Sequence, residues 1–330
     1  MKKKFLVIGS NSFSGSHFVN FVLGKKYKVI GISRSKQINK VFLPYKKSKY
    51  LKNLKFYKLD INKDVNLILR IILKEKITHI VNFSAQSMVG QSWDNPIDWY
   101  NTNVIGTINF LDKIKNLKSL KKYIHVSTPE VYGSTKKNLK ESTCYFPSTP
   151  YAISRSACDM HLHSLYKNYK FPVVFTRAAN VYGAGQQLYR IIPKAMLALK
   201  LNRKLMLDGG GKSKRSFIYI TDVVRATYSL CLKSTNGEIY HISTPQLISI
   251  KKLVETIFKL KKLSLNKHVK ISPDRKGKDG VYSLSSNKIK KEIAWKPEIS
   301  LKDGLLKTLN WIEQNINIIK KQPDKYKHKK

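Results

Sequence analysis

Short apolar runs alternate with amphipathic segments along the first half of the chain. The apolar runs are typical of strands buried on both faces of a sheet, and they cover residues 5–9, 27–32, 54–60, 77–83, 123–126 and 172–177. Apolar residues at helical spacing predict helices between them, at residues 16–23, 65–74, about 96–115 and about 152–170. This alternation predicts an α/β protein with a doubly wound parallel sheet.

The second half of the chain has a less regular pattern. Turn clusters at 209–211 and 272–274 interrupt it, and amphipathic helices are expected near 250–260 and 301–315. We therefore expect residues 1–180 to form the sheet domain. Residues 181–330 should form mainly a smaller second lobe, with some segments that return to the sheet.

The first strand leads directly into a turn of small residues. A strand, a small-residue turn and a helix are the start of a Rossmann-type dinucleotide-binding domain, because turn amides and the helix N-terminus can hold a pyrophosphate. Serine replaces the usual middle glycine, and its Cβ would make a positive φ costly. A turn that binds no ligand is the alternative. The candidate cofactor-binding residues here are Gly9, Ser12, Phe13, Ser14 and Gly15.

The end of the second strand bears on the choice of cofactor. An acidic residue there would bind the ribose 2′-hydroxyl of NAD, but this chain has Ser33 and Arg34. A cation flanked by hydroxyls suits the 2′-phosphate of NADP, so NADP is slightly favoured over NAD. Arg34 could instead stack on the adenine or face solvent. The later strand ends add further expected cofactor contacts, namely Asp60, Ile61, Phe83, Ala85 and Gln86.

Reactive side chains follow the run at 123–126. Thr128 and Glu130 come directly after it, and Tyr151 and Arg155 lie four residues apart in the next predicted helix. Polar groups at the carboxyl end of a strand lie where α/β proteins bind ligands. Residues four apart share one helix face, so the cation can lower the pKa of the tyrosine and make it a proton acceptor.

The formal net charge of +43 is extreme. One explanation is nucleic-acid binding. The other, which we favour, is a lysine-rich composition, because Lys, Asn and Ile abound together and lysines recur in every segment, most densely at residues 320–330. We therefore expect no dedicated nucleic-acid partner, although the positive field should attract anionic ligands.

Three features that the sequence lacks bear on the compartment in which we expect the protein. No apolar run approaches the roughly 18 residues of a membrane span, so no membrane partner is expected. The basic start, residues 1–8, has too short an apolar part for a signal peptide. The three cysteines, Cys144, Cys158 and Cys231, lack metal-ligand spacing, which predicts no metal site and fits a reducing compartment. We expect a cytoplasmic protein.

These motifs together resemble the extended short-chain dehydrogenase/reductase family over nearly the whole chain, and within it the nucleotide-sugar 4,6-dehydratases. The matching segments are Gly9 to Gly15, Ala85 to Ser87, Asn103 to Thr107, Ser127 to Gly133, the helix of Tyr151, Arg177 to Gly183, Arg215 with Asp222, Arg275 to Tyr282, and Trp295 to Pro297.

The resemblance implies an enzyme of sugar-nucleotide or surface-polysaccharide biosynthesis. NAD or NADP would bind tightly in the larger lobe, and a nucleoside diphosphate sugar in the smaller one. Tyr151 would take the proton of the sugar 4-hydroxyl, with Thr128 hydrogen-bonded to it, while C4 gives hydride to the nicotinamide. Glu130 would remove the C5 proton, water would leave from C6, and the hydride would return to C6. The expected substrate-binding residues are Ser87, Asn180, Arg190, Arg215 and Arg275.

The chain departs from the family pattern at two catalytic positions. The family has a lysine where this chain has Arg155, which keeps the charge but carries a bulkier fork. Many dehydratases have an aspartate where this chain has Pro129. Glu130 would then also have to protonate the leaving hydroxyl.

Two other functions remain open from the sequence. A nucleotide-sugar 4-epimerase or decarboxylase would share the fold, but epimerases of the family usually lack a glutamate at the position of Glu130. A non-catalytic NADP- or RNA-binding protein would not need the intact Thr128, Glu130 and Tyr151. For either enzyme we expect a homodimer, with the helices at about 96–115 and 152–169 packed against their copies.

Overall fold

Strands alternate with helices through most of the molecule. The computed structural model describes residues 3–135, 138–261, 268–274 and 280–329. The strands in this part of the chain are β1 (Phe5–Ile8), β2 (Val29–Ser33), β3 (Leu54–Lys58), β4 (His79–Asn82), β5 (Lys122–Val126), β6 (Val173–Ala178), β7 (Asn180–Tyr182), β8 (Leu205–Asp208), β9 (Lys214–Tyr219), β10 (Ile239–Ile242), β11 (Leu247–Ser249), β12 (Val269–Ser272) and β13 (Val281–Tyr282).

The helices of the described residues connect these strands. They are α1 (Phe13–Gly24), α2 (Val65–Glu75), α3 (Pro96–Tyr100), α4 (Thr107–Ile114), α5 (Pro150–Tyr169), α6 (Ile191–Lys200), α7 (Ile220–Lys233), α8 (Ile250–Lys259), α9 (Asn287–Ile293), α10 (Leu301–Gln314) and α11 (Ile316–Ile319). A π-helical segment, Asn101–Gly106, joins α3 to α4, so the helix predicted at about 96–115 is one helical stretch with a wide turn in its middle.

Seven of the strands form one parallel sheet in the order β3-β2-β1-β4-β5-β6-β10. The chain places β2 and β3 on one side of β1 and then crosses to place β4 on the other. This reversal creates a crevice at the carboxyl ends of β1 and β4, which is where doubly wound sheets bind ligands. The predicted fold class, an α/β Rossmann-type fold, is confirmed.

The central strands are apolar because helices cover both faces of the sheet. All four residues of β1 are buried, and two large apolar clusters lie on the two sides. The strand β10 lies in the second half of the chain but adds to the large sheet beside β6. The smaller sheets are formed by β7, β9, β11 and β13 and by the pair β8 and β12.

Most predicted elements lie within a few residues of their observed bounds. The helices expected at 65–74, 250–260 and 301–315 are α2, α8 and α10. The predicted strands at 27–32, 54–60 and 77–83 are each shorter in the structure. In the described part of the chain, no helix combines the length and the apolar character that crossing a membrane requires.

Candidate active site

The turn after β1 is tightly packed and requires glycine at both of its ends. Gly9 has φ of +79°, a conformation that favours glycine. A Cβ on Gly15 would lie 2.2 Å from the carbonyl oxygen of Gly9. Ser12, where a positive φ would have been costly, has φ of −67° and is the N-cap of α1; its Oγ accepts a hydrogen bond from the amide of Gly15 at 3.1 Å. Serine is therefore unstrained here.

The other residues predicted for this turn surround it. Phe13 is buried and packs edge-on against His17, while Ser14 is half-buried in the first turn of α1. Ser33, at the end of β2, accepts a hydrogen bond from the amide of Asn11 at 3.0 Å. The turn after β1 and the end of β2 are thus held together.

Two residues predicted to bind cofactor donate to the same carbonyl oxygen, that of Lys329. Nη2 of Arg34 lies 3.2 Å from it, and Nε2 of Gln86 lies 2.6 Å from it. Arg34 follows β2 and Gln86 follows β4, so the carbonyl lies across the carboxyl end of the strand between them, β1. The C-terminal segment therefore reaches the crevice.

Gln86 is also fixed through its backbone by a residue that the sequence did not single out. The amide of Gln86 donates to Oδ1 of Asn103, and Nδ2 of Asn103 donates to the carbonyl of Gln86 and to Oγ of Ser154. Asn103 is fully buried. It ties the loop after β4 to α5, and its only signal in the sequence is its place in the Asn103 to Thr107 motif.

The remaining predicted cofactor residues also follow strand ends. Ile61 is buried, and Phe83 and Ala85 are half-buried. Asp60 has a local role, since its Oδ1 accepts from the amide of Asn62 and its own amide donates to Asp64. These contacts stabilise the turn before α2.

Thr128 and Glu130 lie in the turn that follows β5. Thr128 is extended, with φ of −144° and ψ of 149°, as the following proline requires. Its Oγ1 accepts a hydrogen bond from the amide of Glu130 at 3.3 Å. The turn Pro129–Tyr132 then holds the half-buried carboxylate of Glu130 at the carboxyl edge of the sheet.

Tyr151 is in the first turn of α5, which begins at a proline and is capped by Thr149. Burial raises the pKa of the Tyr151 phenol, and the charge of Glu130 raises it further. The pKa is lowered by Arg155, by a hydrogen bond with Thr128 and by Arg190, but these effects together are smaller than the two that raise it. The expected effect of Arg155 is therefore present, yet the net pKa shift is upward. Thr128, Glu130 and Arg155 thus lie near the phenol of Tyr151.

The guanidinium of Arg155 is buried beneath the end of β5. Its Nη2 donates to Nε2 of His125 at 2.9 Å and to the carbonyl of Val126 at 2.6 Å. Its Nη1 is buried and has no hydrogen-bond partner among the described residues. Nη2 is thus held by acceptors of the protein, whereas Nη1 can still donate a hydrogen bond.

A buried carboxylate lies behind this cluster. Oδ2 of Asp159 accepts from Arg177 and from Ser127, both at 2.8 Å, and Oδ1 lies 3.3 Å from His125. Burial alone would raise the pKa of Asp159, but the contacts with His125 and Arg177 hold it well below its usual range. Burial lowers the pKa of His125 to about 4. We call His125, Arg155, Asp159 and Arg177 the inner network.

The sequence did not identify the inner network as a unit. Asp159 lies four residues after Arg155 on α5, and this spacing was the available signal. Its partners lie on β5 and β6, and the sequence pattern does not reveal which core side chains of adjacent strands meet.

The residues predicted to bind substrate occupy two places. Nη2 of Arg190 lies 3.4 Å from Oγ of Ser87, so these two come together. Asn180 lies on β7, opposite Phe217 of β9. Arg215, also on β9, donates to the carbonyls of Lys214 and Gly280 and lies over the ring of Tyr282 at 4.3 Å. Arg275 lies outside the described residues.

Comparisons with known proteins identify the family of this chain. The family model for GDP-mannose 4,6 dehydratase matches residues 6–308. The dTDP-D-glucose 4,6-dehydratase of Homo sapiens is 33% identical over 332 residues, which cover 96% of this chain and 91% of the human protein. A trifunctional UDP-glucose 4,6-dehydratase of Arabidopsis thaliana is 30% identical, covering 95% of this chain and 47% of that protein.

Solved structures give the same picture. The dTDP-glucose 4,6-dehydratase of Streptomyces venezuelae, solved with NAD bound, has a TM-score of 0.88 and 30% identity, and covers 95% of this chain and 98% of its own. The UDP-glucose 4-epimerase of Thermotoga maritima has a TM-score of 0.83 and 26% identity, covering 95% and 99%. The chain therefore belongs to the extended short-chain dehydrogenase/reductase family, in its epimerase/dehydratase group.

Proposed function

We propose that this protein is a nucleotide-sugar 4,6-dehydratase that works with a bound nicotinamide cofactor. The observation that carries the proposal is the cluster at the carboxyl edge of the sheet, in which Thr128 and Glu130 both act on the phenol of Tyr151. A hydroxyl, a base and a tyrosine are the groups needed for oxidation at one carbon and proton removal at the next. Three of the proteins compared above are named as nucleotide-sugar 4,6-dehydratases.

Two features of the structure fit a dinucleotide. The turn from Gly9 to Gly15 leads into the N-terminus of α1, so its amides and those of the first helical turn can hold a pyrophosphate. The buried Nη1 of Arg155 lacks a partner among the described residues and can donate to a ribose hydroxyl. When bound, the nicotinamide would supply the hydride acceptor and donor.

We propose NAD as the cofactor. The sequence slightly favoured NADP because of Arg34, but that guanidinium donates to the carbonyl of Lys329. Related structures were solved with NAD, and these observations do not support a preference for NADP.

In the proposed reaction Tyr151 accepts the proton of the sugar 4-hydroxyl. Its raised pKa keeps it protonated at neutral pH, although Arg155 on the same helix face lowers that pKa, so ionisation requires positive charge beyond that of Arg155. Thr128 holds the hydroxyl oxygen by a hydrogen bond. The inner network fixes Arg155 in place.

Glu130 is the proposed base at C5. Oxidation at C4 acidifies the neighbouring C5 hydrogen, which the carboxylate can then remove. No aspartate precedes it in the chain, since residue 129 is proline. The same carboxyl group, once protonated, is therefore our candidate acid for the hydroxyl that leaves C6.

The proposed substrate is a nucleoside diphosphate hexose. Arg190, together with Ser87, forms a donor pair beside Tyr151, and arginine suits a diphosphate because its fork binds two oxygens. Asn180 and Arg215, on paired strands, are proposed to contact the rest of the nucleotide. The division into a cofactor domain, 1–180, and a mainly substrate-binding lobe is part of this proposal.

We also propose a homodimer. Large apolar side chains are exposed on the two helical stretches expected to pack against their copies, namely Ile97, Ile105, Ile153 and Met160. Isologous packing of these faces would remove them from water.

The test separates dehydration from 4-epimerisation, since the epimerase neighbour makes that the second candidate. Glu130→Gln keeps the side-chain shape and removes the base. We expect the variant to accumulate 4-keto sugar and reduced cofactor, while loss of water falls about 10²- to 10⁴-fold, the usual contribution of a general base. Solvent deuterium should enter C5 of the product in the wild type, and its entry should be suppressed in the variant.

Glu141→Gln is the matched control, because it removes another half-buried carboxylate, one that accepts from the amide of His241. It should leave deuterium entry at C5 intact. Wild-type turnover in Glu130→Gln would reject the role of Glu130. A wild type that never exchanges the C5 hydrogen, yet converts substrate, would favour the epimerase.

A further inference from the structure

Residues 323–329, which we call the strap, have an alternating pattern of burial. Asp324, Tyr326 and His328 are half-buried, whereas the lysines between them are exposed. Alternation with a period of two is the pattern of an extended segment with one face on the protein. The lysine-rich end of the chain is therefore seated on the molecule, and only its lysines point outward.

Each inward side chain of the strap meets a specific partner. Asp324 pairs with Arg203 at 3.2 Å, just after α6. The ring of Tyr326 packs edge-on against Tyr189, before α6, at 5.5 Å between ring centres. Nε2 of His328 donates to Oδ2 of Asp98 at 2.6 Å.

His328 is the most firmly held residue of the strap. Its ring stacks on the fully buried ring of Trp99 in α3, with centres 5.2 Å apart and an interplanar angle of 9°. Both its charge partner and its stacking partner are on α3. The strap thus runs from the ends of α6 to α3, across the mouth of the crevice.

The strap ends over the point where the sheet order reverses. The carbonyl of Lys329 accepts from Gln86, after β4, and from Arg34, after β2. It therefore bridges the two sides of the turn after β1. A dinucleotide held by that turn would lie beneath or against the strap.

We infer that the strap is a cover over the cofactor crevice, and that it must lift whenever the cofactor enters or leaves. This inference rests on the proposed nicotinamide cofactor. The seating contacts of Asp324, Tyr326 and His328 use none of the residues assigned to the cofactor, so they can persist when the crevice is filled.

The alternative to a cover is a plug. In that case the strap would occupy the cofactor site itself and compete with the cofactor for Gln86 and Arg34. The two differ in kinetics. A cover slows both entry and exit, so its removal raises both rates. A plug slows only entry, so its removal speeds association and tightens binding without changing dissociation.

The experiment measures binding of NADH by stopped-flow fluorescence, with excess NAD to follow its release. We expect a chain that ends at Gln322 to release NADH on the order of tenfold faster, given the loss of a charged hydrogen bond and a ring stack. Association should also accelerate. His328→Ala should reproduce part of this effect in the full-length chain.

Lys327→Ala is the matched control. It removes a positive charge from the neighbouring, exposed position and should leave the release rate within about twofold, as expected for a solvated surface charge. If Lys327→Ala raises the NADH release rate as much as His328→Ala does, the rate depends on net charge and not on the contacts of His328. The cover is then rejected.

A second readout needs no cofactor. Trypsin cleavage after Lys325 and Lys327, followed by mass spectrometry, should be faster in His328→Ala than in the wild type, since the seated strap resists the protease. Equal cleavage would show that His328 does not seat the strap, which overturns the inference.

The outcomes distinguish a failure of the proposed function from a failure of the cover alone. If no form of the protein binds NADH or NAD, the proposed function fails and the cover fails with it. If all forms bind NADH with one release rate, the proposed function stands and the cover is overturned. Tighter binding by the shortened chain, with unchanged release, identifies a plug instead.

Discussion

The inner network and the strap both pair charged side chains of opposite sign, but they differ in burial. The side chains of Asp159 and Arg177 are 0% exposed, whereas those of Asp324 and Arg203 are 43% and 56% exposed. A buried charge that loses its partner is strongly destabilising, while an exposed pair is screened by water and salt. The inner network can therefore fix a geometry, and the strap can open and close.

This difference in burial fits the function that we propose for each region. In the proposed reaction, Tyr151 and Glu130 need fixed positions relative to one sugar ring, and the inner network holds the helix and the strand end that carry them. The strap must release at a rate compatible with cofactor exchange. If burial sets this difference, substitutions in the inner network should have the largest effect.

The first prediction concerns Asp159. Asp159→Asn removes the charge that compensates Arg177 and leaves a buried cation without its counter-charge. We expect a loss of about 3–5 kcal/mol in the free energy of unfolding, measured by urea denaturation at neutral pH. Asp112→Asn, which breaks the exposed pair with Lys115, should not shift the urea midpoint measurably. A loss below about 1 kcal/mol in Asp159→Asn would mean that the inner network is not held by charge.

The second prediction uses two glycines of α1. Gly15→Ala places a Cβ within 2.2 Å of the carbonyl of Gly9, so the turn must move away from its present shape. We expect NADH affinity to fall at least about tenfold, the equivalent of about 1.4 kcal/mol, because the turn amides lose their positions. Equilibrium fluorescence titration measures it.

Gly24→Ala is the control on the same helix. A Cβ on Gly24 meets nothing within 4 Å, and alanine restricts the unfolded chain more than glycine does. We expect unchanged NADH affinity and a gain of about 0.4–1 kcal/mol in stability. Equal loss of NADH affinity in both variants would place the binding turn elsewhere.

The sequence predicted what depends on local pattern. The order of strands and helices, the turn from Gly9 to Gly15, and the shared helix face of Tyr151 and Arg155 all follow from residues close together in the chain. The sequence did not predict that the central position of the turn, Ser12, would avoid strain by serving as an N-cap. The cap depends on where the helix begins, and helix ends are hard to place from sequence.

Contacts between distant parts of the chain were not predicted. Arg34 and Lys329 are separated by 295 residues, and only the assembled fold brings them together. The sequence shows that the tail is lysine-rich, but it does not show what Asp324, Tyr326 and His328 contact. The same limit hid the inner network, whose members come from β5, β6 and α5. Composition indicated the charge of these regions, and the fold determines which charges are compensated.

The last prediction, and the smallest effect, concerns Arg34 at the outer end of the strap. If the guanidinium serves the strap and not a 2′-phosphate, Arg34→Ala should change NAD affinity by no more than about threefold, as expected for a partly exposed polar contact. The ratio of NADP to NAD affinity should stay the same, because neither cofactor would lose a specific bond. Lys36→Ala, an exposed cation two residues later, controls for the general loss of positive charge. The same substitution in the chain that ends at Gln322 removes any contribution from the strap itself. A drop in NADP affinity of about ten- to hundredfold in that shortened chain, with NAD unaffected, would assign Arg34 to the 2′-phosphate after all. In that case the carbonyl of Lys329 would only replace the phosphate when NADP is absent.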